Sequence, residues 1–87
     1  MPPVIFLFGW RFFFYSDEGN EPMHIHCEKG EKEAKFWLDE KPHAITTDFA
    51  YRMTSRDMKE VKKVIGQYFD EIDHAWKQLQ KKKRPTP

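Results

Sequence analysis

Two imidazoles, a thiol and a carboxylate fall within one short stretch of this chain, Pro22-Met23-His24-Ile25-His26-Cys27-Glu28. Read as a strand, the stretch sends His24, His26 and Glu28 to one side and Ile25 and Cys27 to the other, because side chains alternate across a pleated backbone. Imidazoles two positions apart on one face stand about 6.5–7 Å apart at the backbone, within reach of one tetrahedral ion. A divalent transition metal is therefore the cofactor this pair could hold, with Glu28, Asp17, His43 or Cys27 as the third ligand. Cys27 lies on the wrong side of a regular strand for that role, and no paired Cys-x-x-Cys spacing is present. The same imidazoles titrate near neutral pH and can act as acid and base. With Arg11, Tyr15 or Lys35 beside them, His24 and His26 are the candidate catalytic residues for attack on an RNA phosphate without a metal.

The residues expected on that face, Arg11, Phe13, Tyr15, His24, His26, Lys35 and Trp37, also suit binding without reaction. Aromatic rings stack on bases and cations meet phosphates. So many aromatics favour a covered face, however, with the N-terminal run, the 39–54 segment or a partner chain over it. Cys27 reads as a small buried hydrophobe beside Ile25 rather than a nucleophile, since no basic group shares its side of the strand. Asp70 and His74 stand one helical turn apart and read as an exposed pair. The run Lys81-Lys82-Lys83-Arg84 reads as a solvated helix end that complements the negative pole of the helix.

The elements that must position these groups follow from periodicity. Residues 4–15 hold two aromatic and β-branched runs broken at Gly9, which favours strands; Trp10, Phe12 and Phe14 share one face and Arg11, Phe13 and Tyr15 the other. Ser16 to Pro22 is a polar connection carrying Gly19 and Pro22. After the histidine strand, Lys29-Gly30-Glu31 reads as a tight turn and Lys32 to Leu38 as the antiparallel partner. There Ala34, Phe36 and Leu38 join Ile25 and Cys27, while Glu33, Lys35 and Trp37 join the histidines. Asp39 to Pro42 turns again, and His43 to Thr47 forms a short edge strand.

From Ser55 to about Lys81 the apolar residues Met58, Val61, Ile65, Tyr68, Phe69, Ile72, Ala75, Trp76 and Leu79 recur at helical spacing. Thr54 or Ser55 suits the N-cap and Asp57 the first turn. A helix of that length runs about 40 Å, so a bend near Gly66 or a projecting end is expected. The stripe is the other half of the core. The expected fold is α+β: a small antiparallel sheet of three or four strands within residues 4–47, packed on one long C-terminal amphipathic helix over about 55–81.

The totals narrow the classes. The 87 residues make a single domain over 1–87, with a basic tail from 81. Fifteen basic and fourteen acidic residues leave a formal charge of +1, so no global field holds a nucleic acid or an anionic membrane. One cysteine forms no internal disulfide, which fits a reducing, cytoplasmic setting. Val4-Ile5-Phe6-Leu7-Phe8 is too short to span a bilayer, and no membrane partner is expected.

The order Pro22-x-His24-Ile25-His26, then Glu33-Ala34-Lys35-Phe36, then a long helix ending in Ala75-Trp76, resembles the small prokaryotic domain-of-unknown-function family 4160. The likeness covers nearly the whole chain. It implies a compact α+β unit in which Asp17 matches an aspartate-bearing turn, His24 and His26 two histidines flanking an aromatic position held here by Ile25, and Trp76 a late helical tryptophan. Glu18 and Met23 depart from the family pattern, which has a histidine after the aspartate and a proline before the first histidine. That departure weakens the metal reading by removing a third histidine, unless Glu18 replaces it. The resemblance implies a prokaryotic setting of toxin–antitoxin-like pairs and no established activity.

Two functions follow. The first is a binding or regulatory module, one half of such a pair, that engages a small protein partner or a nucleic acid, or self-associates through its helix. The alternative is a small histidine-dependent hydrolase or ribonuclease-like toxin. The residues at stake are His24 and His26 for catalysis, Arg11, Tyr15, Lys35 and Trp37 for binding, and His24, His26, Glu28 and Asp17 for a metal.

Overall fold

The computed structural model describes residues 5–14, 22–39 and 44–83. Five strands follow one another in the order β1 (Ile5–Leu7), β2 (Trp10–Phe13), β3 (His24–Lys29), β4 (Lys32–Asp39) and β5 (Ala44–Tyr51), and two helices follow, α1 (Ser55–Gln67) and α2 (Phe69–Lys83). Each strand pairs antiparallel with the next, so sheet order equals chain order. β3 and β4 turn tightly between Lys29 and Lys32, where Gly30 supplies a φ of 60° at no steric cost.

Cross-strand register writes the two faces out in rows. Ile5, Phe12, Cys27, Ala34 and Ala50 are successive partners across all five strands, and Ile25, Phe36 and Thr47 form a second inner row. The middle of these rows, Phe12, Cys27, Ala34, Ile25 and Phe36, lies under the helices. Val61, Val64 and Ile65 of α1 and Phe69, Ile72 and Trp76 of α2 are buried against Trp10, Phe12, Phe14, Ile25, Cys27, Ala34, Phe36 and Leu38 in one cluster. Of the two faces of β2, the Trp10, Phe12 and Phe14 face is therefore the core.

The expected sheet of three or four strands on one long helix is corrected in both halves. β1 and β2 are separate strands joined at Phe8 and Gly9, and β5 continues past Thr47 to Tyr51, which makes five. The extension rests on a β-bulge: Phe36 pairs with Thr47 and Lys35 with Phe49, leaving Asp48 as the extra residue. The bulge inverts the alternation, so Phe49 and Tyr51 face outward and Ala50 inward. The helix breaks at Tyr68, whose φ and ψ of −108° and 23° leave the helical region, two residues beyond Gly66. Its N–H still reaches the Val64 carbonyl at 3.0 Å and its own carbonyl accepts from Ile72 at 3.0 Å. Phe69, Ile72 and Trp76 beyond the break stay buried in the core cluster with Val61, Val64 and Ile65 before it.

Thr54 is the N-cap of α1. Its hydroxyl accepts from the Asp57 N–H at 3.0 Å and the Asp57 carboxylate accepts from the Thr54 N–H at 3.0 Å, a reciprocal box that satisfies two otherwise orphaned donors. Asp57 also meets the Lys32 ammonium at 2.9 Å, tying the start of α1 to β4.

Candidate functional site

The outer face of the sheet, opposite the helices, carries three cross-strand rows. The first runs Phe6, Arg11, Glu28, Glu33, Tyr51; the second Phe13, His26, Lys35, Phe49; the third His24, Trp37, Thr46. His24, His26, Arg11, Lys35 and Trp37 thus share one face, as their alternation requires. Tyr15, Asp17, Glu18, His43 and Arg84 lie outside the described residues, as do the side chains of Lys81, Lys82 and Lys83.

The centre of this face is closed. His24 has no exposed surface, and His26, Lys35 and Phe13 are buried too. The His24 ring stands edge-on to three others, with centroids 5.2 Å from His26, 5.3 Å from Trp37 and 5.1 Å from Trp76. His26 stacks on Phe13 at 5.5 Å, and the Arg11 guanidinium lies 5.4 Å from the Phe13 ring centre. Nδ1 of His24 lies 2.9 Å from the Pro22 carbonyl, which can only accept, so that nitrogen carries the proton.

One expectation about orientation is corrected here. With Ile25 and Cys27 expected in the core with the helix stripe, alternation sends the histidines to the side away from the helix, yet His24 meets Trp76 of α2. His24 is the first residue of β3, at the end of the central strand, and alternation along the strand says nothing of a helix whose Trp76 reaches that end. The residues that carried the family resemblance, His24, His26 and Trp76, therefore form a ring cluster that fastens α2 to the sheet.

The charged groups around this cluster are spent on one another. Arg11 pairs with Glu28 directly across β2 and β3. The Lys35 ammonium lies 3.5 Å from the carboxylate of the bulged Asp48 and 4.3 Å from the centre of the Trp37 ring. Arg52, in a left-handed conformation with φ 58°, bonds Glu31 at 2.6 Å and lies 5.3 Å from the Tyr51 ring centre. As for a metal, Glu28 is held by Arg11 and Cys27 faces the core. Among the described residues no three His, Cys, Asp or Glu side chains are placed to share one ion.

Burial pushes the Cys27 thiol up to about 12, against a backbone hydrogen bond from Ala34 that works the other way. Asp57, away from this face, is held down to about 2 by its bond to Lys32 and the N–H of Thr54.

What the residue-by-residue reading missed is the rim. Phe6 is 65% exposed, Phe49 40% and Tyr51 55%, and all three belong to outer rows, on the two edge strands. No sequence signal marks it: Ile45, Thr47, Phe49 and Tyr51 alternate in a single phase, and only the bulge at Asp48 turns the last two outward. Beside the face, a cavity of about 470 Å³ is lined by Pro22, Met23, Trp37, Leu38, Asp39 and Thr46. Among the described residues no helix is long and apolar enough to cross a membrane.

No curated protein and no solved structure matches the chain. A family model described as a domain of unknown function, DUF4160, matches residues 9–77, and the chain belongs to that family.

Proposed function

We propose that this chain is a protein-binding module that docks its partner on the outer sheet face, through Phe6, Phe49 and Tyr51, as one half of a two-protein pair. The observation that carries this reading is the combination of exposed aromatic rings with cations already paired to carboxylates. Each such ring removed from water by a partner contributes roughly 1.5–3 kcal/mol. A single-stranded nucleic acid needs cations for its phosphates as well as rings for its bases. Arg11, Lys35 and Arg52 would each have to leave Glu28, Asp48 and Glu31 to supply them. The burial of His24 and His26 supports binding over hydrolysis, because a general acid or base must reach its substrate.

The test is a double substitution, Phe49→Ser with Tyr51→Ser, examined against the product of the adjacent reading frame and against a mixed-sequence single-stranded RNA. The wild-type chain is expected to bind the protein and not the RNA at physiological salt. The variant should keep its melting temperature, since both side chains are exposed, and lose about tenfold or more in affinity. Saturable RNA binding, or unchanged protein binding by the variant, would contradict the proposal.

A further inference from the structure

A second surface lies on the helix side, where the β1–β2 hairpin meets α1. Phe8 and Gly9 both take positive φ, 53° and 81°, as a two-residue type I′ turn demands. Glycine adopts this freely, but a bulky side chain at such a φ is an outlier, and asparagine is the residue the position favours. Phe8 is nevertheless 67% exposed, so its ring is presented to solvent rather than packed. Next to it a groove of about 460 Å³ is lined by Phe8, Lys59, Glu60, Lys63, Val64 and Gln67.

The groove is apolar at its base and cationic at its rim. Val64 is buried in the core cluster. Lys59 and Lys63 stand one helical turn apart, and the ion pairs among the described residues engage Arg11, Lys32, Lys35, Arg52 and Lys77 instead. The opposing carboxylate, Glu60, accepts from the Trp10 indole at 2.7 Å. A third cation stands at the same end: the Lys29 ammonium lies 5.6 Å from the Trp10 ring centre, and its side chain passes 3.1 Å from where a Cβ on Gly9 would sit. Positive charge therefore exceeds negative around an exposed ring.

We infer that this groove receives an acidic segment of a partner protein carrying one aromatic or aliphatic side chain. That side chain packs between Phe8 and Val64, and the flanking carboxylates meet Lys59 and Lys63. A concave groove with one projecting ring fits a peptide side chain better than the plane of an anionic membrane. The site is separate from the outer face and stands or falls independently of it.

The probe is a labelled Glu/Asp peptide with one central Phe, followed by fluorescence anisotropy, beside the same peptide with Ser at the centre and phosphatidylserine-containing vesicles. Saturable binding of the Phe peptide is expected, with about tenfold weaker binding of the Ser peptide. Phe8→Asn should weaken binding about tenfold and raise the melting temperature, because asparagine tolerates the left-handed turn. Lys59→Glu with Lys63→Glu should abolish binding, and Phe49→Ser with Tyr51→Ser should leave it unchanged. Equal binding of the two peptides, an unaltered affinity for Phe8→Asn, a lowered melting temperature for that variant, or vesicle binding without peptide binding would overturn the inference.

Discussion

Cys27 has the type of a nucleophile and the surroundings of a hydrophobe. It lies in the inner row between Phe12 and Ala34 with no exposed surface, and lost hydration pushes its thiol up to about 12. Since the thiolate is the reactive form, the native protein should not react with a water-soluble disulfide reagent at neutral pH and should react fully in urea. Rapid labelling of the native chain, followed by absorbance of the released thiol, would contradict this burial. The same distinction governs the histidines. Their shared face was readable from spacing alone, because alternation is a property of the strand. That the face is covered was expected from its many aromatics, but the groups that cover it were not, because Phe13 stacks on His26 and Trp76 arrives from a helix far along the chain. The exposed Phe49 escaped notice for a related reason: Asp48 bulges out of register, and a single extra residue reverses which neighbours point outward.

At the scale of elements, local signals were the most legible. The cap at Thr54 and Asp57, the tight turn at Gly30 and the inner stripe of α1 and α2 each depend on a few adjacent residues. The division of the stripe into two helices was foreshadowed only as a bend near Gly66; the break falls two residues later, at Tyr68. The strand count failed because β1 is three residues long and β5 runs through its bulge. The junction between β4 and α1 carries a pH dependence. Asp57 is lowered from 3.8 to about 2 in the fold, chiefly by Lys32 and then by the Thr54 N–H. Its contribution to stability is therefore full above the ordinary carboxylate value and lost as the pH falls from about 4 toward 2. In denaturant titrations across that window, Asp57→Asn should flatten the fall in midpoint seen for the wild type. An equally steep fall in the variant would show that the junction does not supply it.

For the whole molecule, one sheet separates two environments. Its inner face and both helices make the core, with Trp76 and His24 meeting at the end of the central strand. Its outer face is closed at the centre by rings and ion pairs and opens at the edge strands, where Phe6, Phe49 and Tyr51 stand. A nearly neutral chain whose outer face pairs Arg11, Lys35 and Arg52 with carboxylates and exposes rings at its rim suits a protein surface rather than a polyanion. Hydroxyl-radical footprinting reads this claim at the side chains themselves, on the free chain and on its complex with the product of the adjacent reading frame. Phe6, Phe49 and Tyr51 should be oxidised in the free chain and protected in the complex, with His26 oxidised little in either. Equal oxidation of the three rings, free and bound, would contradict the assignment of the outer face as the docking surface.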